Sequence, residues 1–246
     1  MYELLTTLEE HLIQAQSVDA CDQALHWFLN QNGIQTFSFT YYSYHPHSAS
    51  KLKYNMCSDN FQNWHQHYIE EEYNYIDSTL QFVYQNHLPI YWNLKQLLAQ
   101  AQNEEEKQMR LDSIAFGAEA GLSIPVHGPH NNFAILLLVE MKGESINIQK
   151  PFWQHIFFTT AHLYYHYLKM HLLDELSESK TYQLTQREIQ CLSLIARELS
   201  VKEMAQHLEI TERTVNFHIQ KMNKKLGTKN KYQSLNKAIV LKLLTL

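Results

Sequence analysis

Residues 185–227 read TQREIQCLSLIARELSVKEMAQHLEITERTVNFHIQKMNKKLG, and their punctuation decides the fold of the C-terminal part of the chain. Thr185 precedes a run with Leu192, Ile195, Ala196 and Leu199 at helical spacing, and Ser200 precedes a shorter one with Met204, Ala205 and Leu208. Thr211 precedes a third, whose Val215, Ile219, Met222 and Leu226 keep one face. Ser and Thr at such points accept bonds from the free N–H groups of a helix start, and the periodic apolar residues give each helix a buried side. Gly227 just past the third run is the expected stop. Helix, helix, tight turn, helix is the layout of a major-groove reader.

The outer face of the third helix agrees with that layout. Asn216, Phe217 and Gln220 sit centrally among Arg213, Lys221, Lys224 and Lys225. Asn or Gln can bond adenine through two atoms, Phe can touch a thymine methyl, and the cations neutralise phosphates. From Thr211 to Lys242 there are eight cations and one acid, Glu212, so salt-dependent binding to a polyanion is expected.

Outward from this segment the composition changes. Residues 1–176 carry 8 Lys and Arg against 19 Asp and Glu, a charge of −11; residues 177–246 carry 12 against 6, a charge of +6. The two sum to the chain's −5. Of 30 aromatic residues, 27 lie before residue 177, enough to line a cavity. The polar stretch LSESKTYQ, residues 176–183, is read as a linker between a domain over 1–175 and one over 184–246.

Within the first domain, Leu4, Leu5, Leu8, Leu12 and then Cys21, Leu25, Phe28, Leu29 predict two helices, with Gly33 as a stop. TFSFTYYSY and the alternating Leu52, Tyr54, Met56 predict a hairpin around HPHSAS. Asp59–Glu72 is expected as a helix capped by Ser58, and Glu104–Ala120 as another. Gly121–Val126 and Phe133–Met141 are expected as a second antiparallel pair around HGPHNN, and Phe152–Leu176 as a long helix. Helices around an antiparallel sheet follow.

Several classes are set aside. The longest apolar run is Phe133–Val139 and the N-terminus is acidic, so neither a membrane span nor a signal peptide is expected. Cys21, Cys57 and Cys191 form no CxxC, which points to a reducing, cytoplasmic setting. His162 and His166 are four apart, but no HExxH or acidic third ligand accompanies them, so no metal is expected. No receiver-type pair of acids follows a first strand, and no nucleophile with a base suggests an enzyme.

LTQREIQCLSLIA, KEMAQHLEITERTVNFHI and KKLGTKNK closely resemble the helix-turn-helix of the LuxR/FixJ type, over residues 184–244. By that resemblance Asn216, Phe217 and Gln220 face bases, while Lys202, Thr214, His218 and Lys221 sit at the backbone and Lys231–Leu244 forms a fourth, pairing helix. Two positions depart, because Glu198 and Glu209 stand where the family usually has Gly. A side chain in left-handed backbone there costs about 1 kcal/mol.

Upstream, Trp64, Tyr68, Asp77, Trp92 and Gly121, with FGAEAGLSIPV, resemble the autoinducer-binding domain of LuxR-type receptors. The resemblance implies an α/β/α sandwich with a central antiparallel sheet, followed by the small all-α helix-turn-helix domain. It also implies an N-acyl homoserine lactone as signal and no further cofactor. Trp64 would donate to the lactone carbonyl, Tyr68 to the amide carbonyl, and Asp77 would accept the amide N–H. Trp92 would wall the ring, and Tyr54, Ile76, Val83 and Leu137 would surround the acyl chain. Ser78 stands where the family has Pro, and Leu137 lies where relatives often place a hydroxyl. These departures keep two alternatives open: a non-lactone signal, and a regulator acting without ligand. The expected partners are double-stranded DNA bound by a homodimer, the small signal, and RNA polymerase.

Overall fold

The structure, a computed structural model, describes residues 2–43, 52–128, 132–144, 146–175, 184–240 and Leu243. The chain divides into two compact units, one reaching Leu176 and one beginning at Ser177. The expected linker, 176–183, lies outside the described residues.

In the first unit, α1 (Tyr2–Gln14) and α2 (Val18–Gln31) form where the apolar spacing placed them, with Leu8, Leu12, Leu25, Phe28 and Leu29 fully buried. Ser17 caps α2, and Gly33 turns the chain out at φ 76°. β1 (Thr36–Ser43) pairs antiparallel with β2 (Leu52–Cys57); the loop between them lies outside the described residues. A 3₁₀ turn over Asp59–Phe61 precedes α3 (Gln62–Glu70). This corrects the single helix expected from Asp59 to Glu72. Ser58 does not cap it, because its hydroxyl is taken by β1: it accepts the Phe37 N–H at 3.0 Å.

After a second 3₁₀ turn over Tyr73–Tyr75 come α4 (Ser78–Gln85), β3 (Ile90–Asn93), α5 (Leu94–Ala99) and α6 (Glu104–Phe116). The sixth helix ends four residues before the expected Ala120. Gly117 adopts φ 107°, left-handed backbone that closes the helix, and Ala118 already belongs to β4 (Ala118–His127). β5 (Asn132–Met141) and α7 (Pro151–Glu175) complete the unit.

The five strands run in the order β2-β1-β5-β4-β3, every neighbouring pair antiparallel. Alternation along the strands divides the sheet. Phe37, Phe39, Leu122, Ile124, Leu136 and Leu138 enter the main core with α1, α2 and α7. Ser38, Thr40, Ser123, Ile135 and Leu137 turn the other way, toward α3–α6. The result is the expected α/β/α sandwich.

The second unit is all helical: α8 (Gln186–Ala196), α9 (Val201–Leu208), α10 (Glu212–Leu226) and α11 (Lys231–Val240). Thr185 and Ser200 each form a reciprocal capping box, with Glu188 and Glu203, and Thr211 caps α10. Leu192, Met204, Val215, Met222, Leu226 and Ala238 are fully buried between the helices. Glu198 (φ 63°) and Glu209 (φ 54°) are left-handed, so side chains stand where the backbone favours glycine. The fourth helix is described to Val240 rather than Leu244.

Candidate functional site

Between the second face of the sheet and α3–α6 lies a cavity of about 110 Å³. Trp64 and Tyr68 reach it from α3, one turn apart on the same face. Asp77 enters at the start of α4, Trp92 from β3 and Leu137 from β5. Four polar or aromatic side chains scattered over 29 positions of sequence thus share one wall.

Three expected wall residues stand elsewhere. Tyr54 follows the alternation of β2 to the opposite face, where its hydroxyl donates to Asp22; Tyr164 donates to the other oxygen of that carboxylate at 2.6 Å. Ile76 closes the 3₁₀ turn before α4, half-buried and outside the wall. Val83 is fully buried against Phe133 and Tyr42 and does not line the cavity, while Leu80, one turn earlier on the same helix, takes the lining position.

Asp77 carries the densest bonding. Its Oδ1 accepts the Thr79 and Leu80 N–H groups at 2.9 and 3.4 Å and Arg110 Nη2 at 2.9 Å; its Oδ2 accepts the Tyr68 hydroxyl at 3.0 Å. Helix capping and pocket chemistry therefore meet in one carboxylate. Burial, reinforced by Asp77, pushes the Tyr68 hydroxyl well above its ordinary pKa, which keeps it a donor. Arg110 also meets Glu106 at 3.0 Å. Burial pushes the Glu106 carboxyl up, but the Gln102 N–H, the Ser78 hydroxyl and Arg110 outweigh it and hold the group below its ordinary value.

Trp92 donates from Nε1 to Ser123 Oγ at 2.9 Å. Its ring lies so close to Gly121 that a Cβ there would stand 2.2 Å from Trp92 Cζ2 and 2.7 Å from the Leu138 carbonyl. The glycine at this position is thus required by close approach of an indole. Trp64 stacks on Phe116 at 5.6 Å, and its N–H has no partner among the described residues.

Reading from sequence missed Arg110, the hydroxyls of Ser38, Thr40 and Ser123, and His65, whose pKa burial lowers. The alternation of TFSFTYYS carried a signal for two of the hydroxyls, and the four-residue spacing of Glu106 and Arg110 carried one for the ion pair. Among the described residues no three His, Cys, Asp or Glu side chains gather as metal ligands, and no helix is long and apolar enough to cross a membrane.

In the second unit, Arg213, Asn216, Phe217, Gln220, Lys221 and Lys224 are exposed along α10, opposite its buried stripe. Lys202 is exposed on α9, and Thr214 and His218 are half-buried on α10. Phe217 is 54% exposed, with Lys221 Nζ 5.6 Å from its ring centre. Lys225, grouped with the flanking cations from sequence, instead ion-pairs with Glu188 at 2.7 Å. Glu188 also accepts the Thr185 N–H, so this lysine ties α10 to the start of α8.

Comparison with known proteins agrees with both halves. Residues 23–157 match the autoinducer binding domain family, and residues 182–238 match the bacterial regulatory proteins, luxR family. The chain is 30% identical to the transcriptional activator protein VanR of Vibrio anguillarum, over 98% of this chain and 97% of that one. It is 28% identical to the transcriptional activator protein LuxR of Aliivibrio fischeri, covering 80% of this chain and 77% of that one. The fold matches Escherichia coli SdiA with a TM-score of 0.76 at 18% identity, over 100% of this chain and 99% of that one. A structure of SdiA in complex with octanoyl-rac-glycerol matches with a TM-score of 0.72 at 18% identity, over 98% and 95%. An autoinducer-binding domain on an antiparallel sheet, followed by a capped four-helix DNA-binding domain, places the chain in the LuxR family of transcriptional regulators, to which it belongs.

Proposed function

We propose that this regulator senses an N-acyl homoserine lactone in the cavity of its first domain. The observation that carries the reading is the convergence of Trp64, Tyr68, Asp77 and Trp92 on one cavity. Trp64 donates its N–H to the lactone carbonyl, Tyr68 donates to the amide carbonyl, Asp77 accepts the amide N–H, and Trp92 walls the ring. Leu80, Ile135 and Leu137 line the acyl chain. Each buried CH₂ contributes about 0.8 kcal/mol, so chain length sets affinity. The protein acts in the cytoplasm as a homodimer on a dyad-symmetric DNA site. Asn216, Phe217 and Gln220 contact bases, with Lys202, Arg213, Thr214, His218, Lys221 and Lys224 at the backbone. RNA polymerase is a further partner, in line with the names of VanR and LuxR as transcriptional activators.

A thermal-shift panel of acyl homoserine lactones of graded length, with and without a 3-oxo group, tests this. Stabilisation of about 2.7 kcal/mol is expected at a hundredfold excess over the dissociation constant. The shift peaks at one chain length and is lost in Asp77→Ala. A response to no lactone overturns the reading. The hydroxyls of Ser38 and Ser123 in the wall, and the acylglycerol held by SdiA, favour one second candidate, a neutral acyl ester. Octanoylglycerol therefore belongs in the same panel, and a shift with it alone selects that ligand.

A further inference from the structure

The side chain of Arg110 projects from α6 into the wall with only 5% of its surface exposed. Its Nη2 reaches Asp77 Oδ1 and Thr79 Oγ1 at 2.9 Å each, Glu106 Oε1 at 3.0 Å and Ser78 Oγ at 3.4 Å. Glu106 is itself fixed: its Oε2 accepts the Gln102 N–H at 2.9 Å, and its Oε1 takes the Ser78 hydroxyl. Ser78 is the first residue of α4, and a proline there could supply no hydroxyl. The departure from the family pattern at this position is thus one member of a buried cluster that joins α4 to α6.

The two oxygens of Asp77 are unequally used. A carboxylate oxygen offers about two lone-pair sites. Oδ1 receives the Thr79 and Leu80 N–H groups and Arg110, so it is saturated; among the described residues Oδ2 receives only the Tyr68 hydroxyl. One acceptor site remains, beside Tyr68. We propose that Arg110 is a positioning residue for the signal: by saturating Oδ1 and fixing the carboxylate plane, it leaves Oδ2 as the acceptor of an amide N–H. The inference rests on the lactone reading of the cavity and adds what makes the pocket select an amide.

The test compares two ligands by calorimetric titration of the full-length protein. One is the N-acyl homoserine lactone of the chain length that the thermal panel selects. The other is its ester analogue, with oxygen in place of the amide N–H. Arg110→Lys keeps the charge beside Asp77 and Glu106, and the double variant Glu106→Gln, Arg110→Gln removes a charge pair together, so ligand-free melting curves report whether each is folded. The expected result is that the amide-over-ester preference of the wild type falls about tenfold in the double variant and about threefold in Arg110→Lys. Ester affinity changes little in either. An equal loss for both ligands means that Arg110 merely supports the wall and overturns the proposal. An unchanged preference overturns it as well. A wild type that binds the amide while the variants keep its preference sinks this inference alone; a wild type that binds neither ligand sinks the lactone reading and this inference with it.

Discussion

Asp22 and Asp77 illustrate how one residue type takes opposite electrostatic roles on the two faces of a sheet. Asp77 is surrounded by N–H donors, a tyrosine and a guanidinium. Asp22 faces the hydroxyls of Tyr54 and Tyr164 instead, and burial raises its pKa against the lowering by both phenols. A raised pKa means that the folded protein holds the Asp22 proton more tightly than the unfolded chain. The unfolded chain then binds fewer protons through this window, so stability falls as pH rises from near the ordinary carboxylate value through the raised one. Asp22→Asn removes that loss while keeping an acceptor for one hydroxyl. Urea midpoints of wild type and variant between about pH 4 and pH 7 should therefore diverge with rising pH, the variant becoming the more stable. A variant that is less stable at the upper end by about 1 kcal/mol or more would show the ionised carboxylate to be a net stabiliser.

At the scale of elements, the capped helices were the most legible parts, because Thr185, Ser200, Thr211 and Gly227 act locally through hydrogen bonds or left-handed backbone adjacent in sequence. Helices around an antiparallel sheet were legible through pattern, whereas the sandwich and the grouping of Trp64, Tyr68, Asp77 and Trp92 came from the family resemblance, and the structure brings these four to one cavity. Tyr54 was misplaced because period-2 alternation fixes a face only once its partner strand is known; opposite Tyr41 it belongs to the α7 side. Arg110 was missed because, Glu106 apart, its partners lie 31 to 33 residues away at the start of α4, and an exposed position is the usual fate of a helical arginine. The two left-handed glutamates of the second unit, Glu198 and Glu209, were legible and make a prediction about the helix ends they close. Glu209 at φ 54° ends α9 with a backbone that a side chain disfavours. Glu209→Gly should stabilise the second unit by about 0.5–1 kcal/mol, read as a rise of a few degrees in its melting transition. No rise would mean that the strain is offset by contacts of the side chain or by the entropy that glycine brings to the unfolded chain.

Across the whole molecule, the charge is segregated, −11 before residue 177 and +6 after it, so attraction to DNA resides in the tail while the first domain opposes it. The proposed DNA interface counts four of these tail cations. Lys202, Arg213, Lys221, Lys224 and Lys225 are all exposed, but Lys225 is committed to the buried carboxylate of Glu188. Each phosphate neutralised contributes about −0.9 to the slope of log affinity against log salt. For the proposed dimer, four such cations on each of two tails give a slope of about −7. Lys221→Gln removes one contact per tail and should lower the magnitude by about 2, whereas Lys225→Gln should leave the slope within about 1 of the wild type. Fluorescence anisotropy over a salt series, run below the melting temperature of each variant, separates the two. If Lys225→Gln flattened the slope as much as Lys221→Gln, the ion pair with Glu188 would have to open on DNA. α10 would then gain a cation only by releasing the start of α8, and DNA affinity would be tied to the stability of that capping box.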